Sequence, residues 1–430
     1  MTFLVKDLIV WLMSLANFLK KTISVISAGA IISLTPAFAQ TPPTNNNHLP
    51  GQVLVKFKDG TPQNIVDSII ARHGAQVVDQ ISALNVLVLG VPQSSENRIV
   101  TALSKNPNVE FAELNFLAFA VFTPNDPYFE PNQWGLENTG QTIKDQVGTV
   151  DADIDAPTAW DTTQGTSTIK IAILDTGIDQ DHEDLSAKIA LQKNFTTSET
   201  IDDLYGHGTH VGGIASAVTN NGTGVAGGCP DCVLMNGKVL RDDGAGAYSW
   251  VANGITWAAD NGGKVINLSL GGTSPSKTLE SAVNYAWNKG AVVVAAAGNC
   301  GCQQKIYPAA YKNAIAVAAT NNKDQKASFS SYGARWVDIA APGQDIFSTF
   351  PNHPFVIEEK YGRSQNYDFA SGTSMATPMT SAAAALIWST SYGTSASNVR
   401  NRLESTADDI AGTGTYWSAG RVNAGTAVAP

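Results

Sequence analysis

Cysteine is scarce in this chain, with four residues among 430, and basic residues are outnumbered, 27 Lys and Arg against 37 Asp and Glu. The formal charge of -10 is the wrong sign for a surface that must neutralise phosphate, which excludes nucleic acid as a partner. Charged residues reach only 15% against 43% apolar, so a chain disordered over most of its length is excluded as well. Membrane-length apolar runs are missing. The stretch Leu8 to Leu19 is about twelve residues, short of the roughly twenty a helix needs to cross a bilayer.

What the N-terminus does have is an order of features. Lys20 and Lys21 precede the apolar run Ile23 to Leu34, and Pro36-Ala37-Phe38-Ala39 follows before polar Gln40. Basic, apolar, then small-x-small is the order of an export signal, cleaved after Ala39. Leu8 to Leu19 then reads as part of a long leading region, or Met13 as the true start. An exported chain meets an oxidising compartment, where disulfides are favoured over a four-thiolate zinc site for Cys229, Cys232, Cys300 and Cys302.

Residues 41–49 are mostly Thr, Pro and Asn, a linker with little to bury. A compact pattern follows. Gln52 to Phe57 alternates as a strand, 62–73 as a helix, Gln76 to Ile81 and Leu84 to Val91 as strands, 96–105 as a helix, and Val109 to Leu114 as a strand. That β-α-β-β-α-β order is the split βαβ motif, a small α+β unit. From about residue 170 short unalternated apolar runs take over: 171–174, 233–240, 265–270, 291–297, 314–319 and 337–341. Helical spacings lie between several of them, as in Leu279, Ala282, Val283 and Ala286. Strands buried on both faces and alternating with helices predict an α/β fold, a doubly wound, mainly parallel sheet with helices on both faces. In such sheets the reacting groups gather at the carboxyl ends of the strands.

Four features fall there. Asp175-Thr176-Gly177 follows a strand directly. Gly206-His207-Gly208-Thr209-His210 opens a stretch in which Val211, Ile214, Ala215 and Val218 recur at helical spacing. Ala297-Gly298-Asn299 closes another strand, and Ser374 sits ahead of Pro378 and an alanine-rich helix ending near Trp388. Proline is tolerated in a first helical turn, so Pro378 predicts Ser374 at a helix N-terminus, where N–H groups and the dipole favour an anion. Taken singly, these are a turn, a cap and two loop residues. Together they are a carboxylate, an imidazole, an amide and a hydroxyl. A metal pair at His207 and His210 is disfavoured, because the glutamate of the helical zinc motif is absent.

At this point the chain resembles the subtilases, the subtilisin-like serine proteases, and among them thermitase-like secreted members. The resemblance spans roughly 123–428. It rests on Asp-Thr-Gly-Ile-Asp (175–179), Gly-His-Gly-Thr-His-Val (206–211), Asn-Leu-Ser-Leu-Gly-Gly (267–272), Ala-Ala-Gly-Asn (296–299), Gly-Thr-Ser-Met-Ala-Thr-Pro (372–378) and Gly-Arg-Val-Asn-Ala (420–424). It implies a secreted endopeptidase whose Asp175, His207 and Ser374 form the triad, with Asn299 in the oxyanion hole and His210 structural. Substrate polypeptide is expected to add as a strand between Gly244-Ala245-Gly246 and Ser269-Leu270-Gly271, with Gly298 also counted among the substrate-binding residues. A structural Ca²⁺ is implied on Asp126, Asp184, the Asn221 side chain and the carbonyls of Val218, Thr223 and Val225, with no organic cofactor. Asp202-Asp203 is a candidate for a second, weaker ion.

The implied layout is a signal peptide at 1–39, a linker at 40–49, an inhibitor- and chaperone-like pro-domain at 50–121, and a peptidase domain at 122–430. The pro-domain is the expected intramolecular partner, released by self-cleavage near Val121-Phe122. The mature enzyme is expected to be a monomer outside the cell, in the periplasm or at the cell surface. Parallel strands of about six residues put the 229/232 and 300/302 pairs about 20 Å apart. No cross-pair can form, because bridging fails beyond about 7 Å. Either local bonds or free thiols remain. Met379-Thr380 and Ala382 depart from the family pattern where His-Val and a glycine are usual, and segment 351–368 looks longer than in relatives. A catalytically silent peptide-binding relative and an acid-acting serine-carboxyl peptidase are the competing readings.

Overall fold

Residues 48–117 and 122–430 are described by the structure, a computed structural model. The expected signal peptide, nearly all of the expected linker and residues 118–121 ahead of the expected processing point lie outside the described residues.

The N-terminal unit follows the split βαβ order. It runs β1 (His48–Phe57), α1 (Gln63–Arg72), β2 (Gln76–Ile81), β3 (Val86–Gly90), α2 (Glu96–Ser104) and β4 (Val109–Phe116). The sheet order is β2-β3-β1-β4, all antiparallel. Alternation explains the placement: Val53, Val55 and Phe57 of β1 are buried with Ile69 and Ile70 of α1 and Ile99 and Leu103 of α2. Two boundaries differ from the sequence reading. The first strand begins inside the segment read as linker, and Ser82–Leu84 forms a 3₁₀ turn rather than the start of β3.

The second unit is built on one seven-stranded parallel sheet. Its strands are β5 (Lys170–Asp175), β6 (Ile189–Asn194), β7 (Val233–Lys238), β8 (Gly263–Leu268), β9 (Val292–Ala296), β10 (Ala314–Thr320) and β11 (Ile339–Pro342), in the order β11-β10-β9-β8-β5-β7-β6. From β5 the chain crosses to the edge at β6, returns to β7 beside β5, and then runs outward through β8 to β11 on the other side, so the direction of winding reverses at β5. Alternate side chains serve two cores. Ile171 and Ile173 face α3 (His207–Ser216) and α6 (Thr373–Trp388); Ala172 and Leu174 face α4 (Tyr248–Asp260) and α5 (Lys277–Asn288). Between β11 and α6 lie the paired strands β12 (Ile346–Thr349) and β13 (Tyr367–Ala370). Among the described residues no helix is long and apolar enough to cross a membrane.

Several sequence expectations are corrected here. α3 ends at Ser216, so Val218 lies beyond the helix despite its spacing. Pro378 is inside α6, in its second turn, not in the first. The departures at Met379 and Ala382 are both accommodated by buried packing, and Ala382 lies where a side chain on Gly228 would come within 2.7 Å of its methyl. The cysteines form the local pairs Cys229–Cys232 and Cys300–Cys302, with no cross-link.

Candidate active site

Asp175 is the last residue of β5 and is fully buried; His207 is the first of α3. They meet because Gly208 has no side chain. A Cβ there would stand 2.0 Å from the Gly177 carbonyl and 3.0 Å from the Asp175 Cβ. The start of α3 therefore rests directly on the loop leaving β5. His207 Nδ1 lies 2.7 Å from Asp175 Oδ1, which also accepts the Thr176 N–H at 2.8 Å.

Asp203, also fully buried, fixes that approach. One oxygen accepts the Gly206 N–H and the Thr176 hydroxyl at 2.8 and 2.7 Å; the other accepts the Thr209 N–H and hydroxyl at 2.8 and 2.7 Å. It caps α3 and ties the cap to the residue after Asp175. These bonds engage both Asp203 oxygens within the protein. Asp202 instead faces Asp179 and His353, with one ligand atom of each residue all within 4.8 Å of one another. Lys238, paired with Asp175 across β5 and β7, buries its ammonium on the carbonyls of Thr176 and Asp202 and on Asp242.

Burial works against a charge on the His207 ring. The adjoining Asp175 carboxylate, with Asp203 behind it, overcomes that penalty and holds the ring above the ordinary histidine value of 6.5. His210 is the reverse. Its burial, with His207 nearby, pushes it down to about 3, and its Nε2 faces the Asp368 carbonyl at 3.2 Å. Neutral, packed on Phe350 and without access to solvent, it is a core residue.

Ser374 is the second residue of α6, where N–H groups have no helical acceptor. Its hydroxyl donates to the Ser269 carbonyl at 3.1 Å. Asn299, exposed beyond β9, accepts the Thr373 N–H at 2.9 Å and the Thr373 hydroxyl at 3.0 Å on Oδ1. The amide is thereby oriented, and its NH₂ is left as the free end. Ser269, Leu270 and Gly271 continue β8 past its last paired residue, and Ala245, Gly246 and Gly271 are exposed, so backbone on both sides is open to pairing. Gly298 donates its N–H to Thr373 Oγ1 at 3.1 Å.

The two carboxylates among the expected ion ligands both pack on the loop at 218–225. Asp126 accepts the Asn220 N–H at 2.7 Å, and Asp184 accepts the Asn221 side-chain amide at 2.8 Å and the Val225 N–H at 2.9 Å. Val218 donates its N–H to the Asp184 carbonyl at 2.8 Å, and Thr223 donates its N–H to Asn221 Oδ1 at 2.8 Å. Both carboxylates are buried, and among the described residues neither has a cationic partner within salt-bridge distance. Burial pushes both carboxyls up. Buried carboxylates with hydrogen-bond donors but no countercharge fit a hard cation.

Thr373, Thr176 and Lys238 went unread in the sequence, and Asp203 was read only as a candidate ion ligand. Each acts on a residue far away in the chain, and only the Thr-Ser pair at 373–374 carried any local signal.

Segment 351–368 packs on the loop before α3: Val356 and Ile357 donate N–H groups to the carbonyls of Leu204 and Tyr205 at 3.0 and 3.1 Å.

Residues 166–421 match the model of the subtilase family, and 35–115 match the fervidolysin N-terminal prodomain. Thermitase of Thermoactinomyces vulgaris is 50% identical over 308 residues, 71% of this chain and 99% of that protein. A thermophilic serine proteinase of Bacillus sp. strain AK1 is 42% identical over 386 residues, 89% of this chain and 88% of that protein. Among solved structures, a protease from Pseudoalteromonas arctica PAMC 21717 superposes with a TM-score of 0.61 at 31% identity, covering 72% of this chain and 99% of that one.

Proposed function

The chain belongs to the subtilase family and is a subtilisin-like serine endopeptidase with an N-terminal prodomain, and from that premise we propose a secreted, calcium-stabilised proenzyme that cleaves itself and then extended polypeptide through Asp175, His207, Ser374 and Asn299. The observation that carries the reading is the 2.7 Å contact from His207 Nδ1 to Asp175. With Nδ1 committed to a carboxylate, Nε2 is the basic nitrogen, and Asp175 stabilises the imidazolium that forms.

Ser374 Oγ turns from the Ser269 carbonyl towards the ring and attacks the scissile carbonyl as His207 takes its proton. The tetrahedral oxygen is met by the Asn299 amide and the Ser374 N–H at the head of α6. His207 then protonates the leaving amine, and water repeats the sequence on the acyl-enzyme. Substrate lies between Gly244–Gly246 and Ser269–Gly271 as an added strand, which makes recognition depend chiefly on backbone. Asp126, Asp184, Asn221 and the carbonyls of Val218, Thr223 and Val225 would hold Ca²⁺, which would supply the positive charge those buried carboxylates lack. Residues 1–39 are the export signal, the mature enzyme is a monomer, and the unit at 50–121 is its inhibitor until cut near Val121-Phe122.

Fluorophosphonate labelling followed across pH tests this. Catalysis needs neutral His207, and its partner raises the ring's pKa. Labelling at Ser374 and kcat/KM are therefore expected to climb together as pH rises, with an inflection above 6.5, the ordinary histidine value. An unlabelled protein favours the silent peptide binder. A rate that falls on passing from acid to neutral pH favours the carboxyl-peptidase reading.

A further inference from the structure

Pro378 stands four residues after Ser374 in α6 and has no N–H, so the Ser374 carbonyl lacks the donor that a regular helix would give it. That carbonyl belongs to the residue that bears the nucleophile, and it is not left bare. The Ser269 hydroxyl donates to it at 2.7 Å. Ser269 Oγ in turn accepts from the Asn267 side-chain amide at 3.0 Å, and Asn267 Oδ1 accepts the Ser381 hydroxyl at 2.9 Å. Asn267 and Ser381 are wholly buried and Ser269 is 3% exposed.

The relay has one direction only. An amide oxygen accepts and its nitrogen donates, so hydrogen-bond donation runs from Ser381 to Asn267, from Asn267 to Ser269 and from Ser269 to the Ser374 carbonyl. It grips α6 at Ser374 and again at Ser381, on the same helix face about two turns on. Its middle members lie at the exit of β8, where Ser269 also receives the Ser374 hydroxyl on its own carbonyl at 3.1 Å.

We propose that the Asn267 and Ser269 side chains are positioning residues: together they clamp Ser374 to the strand that pairs with substrate, and Pro378 keeps the Ser374 carbonyl available to the clamp. The inference rests on Ser374 being the nucleophile and on Ser269–Gly271 pairing with substrate. A clamp between the two fixes the attacking oxygen relative to the bound backbone, where displacements of about 1 Å cost about a hundredfold in rate.

The test is a cycle on the mature enzyme. Ser269→Ala is expected to lower kcat and the fluorophosphonate labelling rate about ten- to a hundredfold, with KM held within about twofold. Ser269→Thr, which keeps a hydroxyl, is expected to restore most of the loss. In a Pro378→Ala background the new alanine N–H can take the Ser374 carbonyl, so Ser269→Ala is expected to cost less than about threefold there. A change that only loosened the fold would lower Tm and gain nothing from that second substitution. Unchanged kcat in Ser269→Ala, or an equal penalty in both backgrounds, overturns the clamp. If Ser269→Ala yields too little mature enzyme, Ser381→Ala is read instead: about a two- to fivefold fall in kcat is expected, and none counts against the proposal. Activity surviving Ser374→Ala would defeat the nucleophile assignment itself, which separates the two failures.

Discussion

Ser374→Ala is expected to lower kcat about a millionfold while leaving KM and the melting temperature close to those of the parent, the size this deletion has in subtilisin. His207→Ala is expected to match it, and the double variant to be no worse than either. Removal of the hydroxyl leaves the imidazole nothing to deprotonate, and removal of the imidazole leaves a hydroxyl too weak to attack, so the two losses overlap. Asp175→Asn is expected to cost about 10⁴, because an amide in place of the carboxylate fixes the wrong tautomer on His207. Residual rate over water then comes from the Asn299 amide and substrate binding. Peptide-amide turnover on purified protein measures all of these, and a Ser374→Ala chain that keeps its activity would remove the proposed mechanism. The same variant reports on maturation. It is expected to accumulate uncut at Val121-Phe122, whereas recovery of a chain already cut there would mean that another molecule does the processing.

The strands that carry these groups were legible because they are buried on both faces. Ile171 to Leu174 and Ala291 to Ala297 have no polar alternation to confuse, and their ends located Asp175 and Asn299. β6 was invisible for the opposite reason: it is an edge strand with four consecutive exposed residues, so neither a continuous apolar run nor a clean alternation marks it. β12 and β13 pair only with each other, and the short, half-buried β13 has no apolar periodicity of its own. Pro378 misled by one turn. Local rules put a proline at a helix start, whereas here tertiary hydrogen bonds from Ser269 compensate for its missing donor. The roles of Thr373 and Asp203 were unreadable for a related reason. They are hydrogen bonds to Asn299 and Thr176, 74 and 27 positions away, and nothing in local spacing encodes such a bond.

Removal of calcium is expected to lower the melting temperature by about 10 °C at neutral pH. A site filled a thousandfold over its dissociation constant contributes about 4 kcal/mol, and each kcal/mol moves a domain of this size by about 2–4 °C. The sign of the pH dependence follows from the two carboxyls. Burial raises Asp126 and Asp184 in the ion-free fold, so that fold binds protons more tightly than the unfolded chain does. Their favourable contribution is present at low pH and is lost as pH rises through the raised values. The chelated protein therefore weakens from acid towards neutrality, while calcium holds the native protein up. The gap between the two melting curves is expected to widen with pH and to close in acid, where protons compete for the same oxygens. Asp184→Asn separates charge from packing. It removes a buried, uncompensated carboxylate, so in chelator the variant is expected to melt above the chelated parent, and added calcium to move it little. A parent melting temperature indifferent to chelator at neutral pH would remove the calcium site. A chelator effect that Asp126→Asn and Asp184→Asn leave intact would place the ion elsewhere, on oxygens other than those gathered by the loop at 218–225.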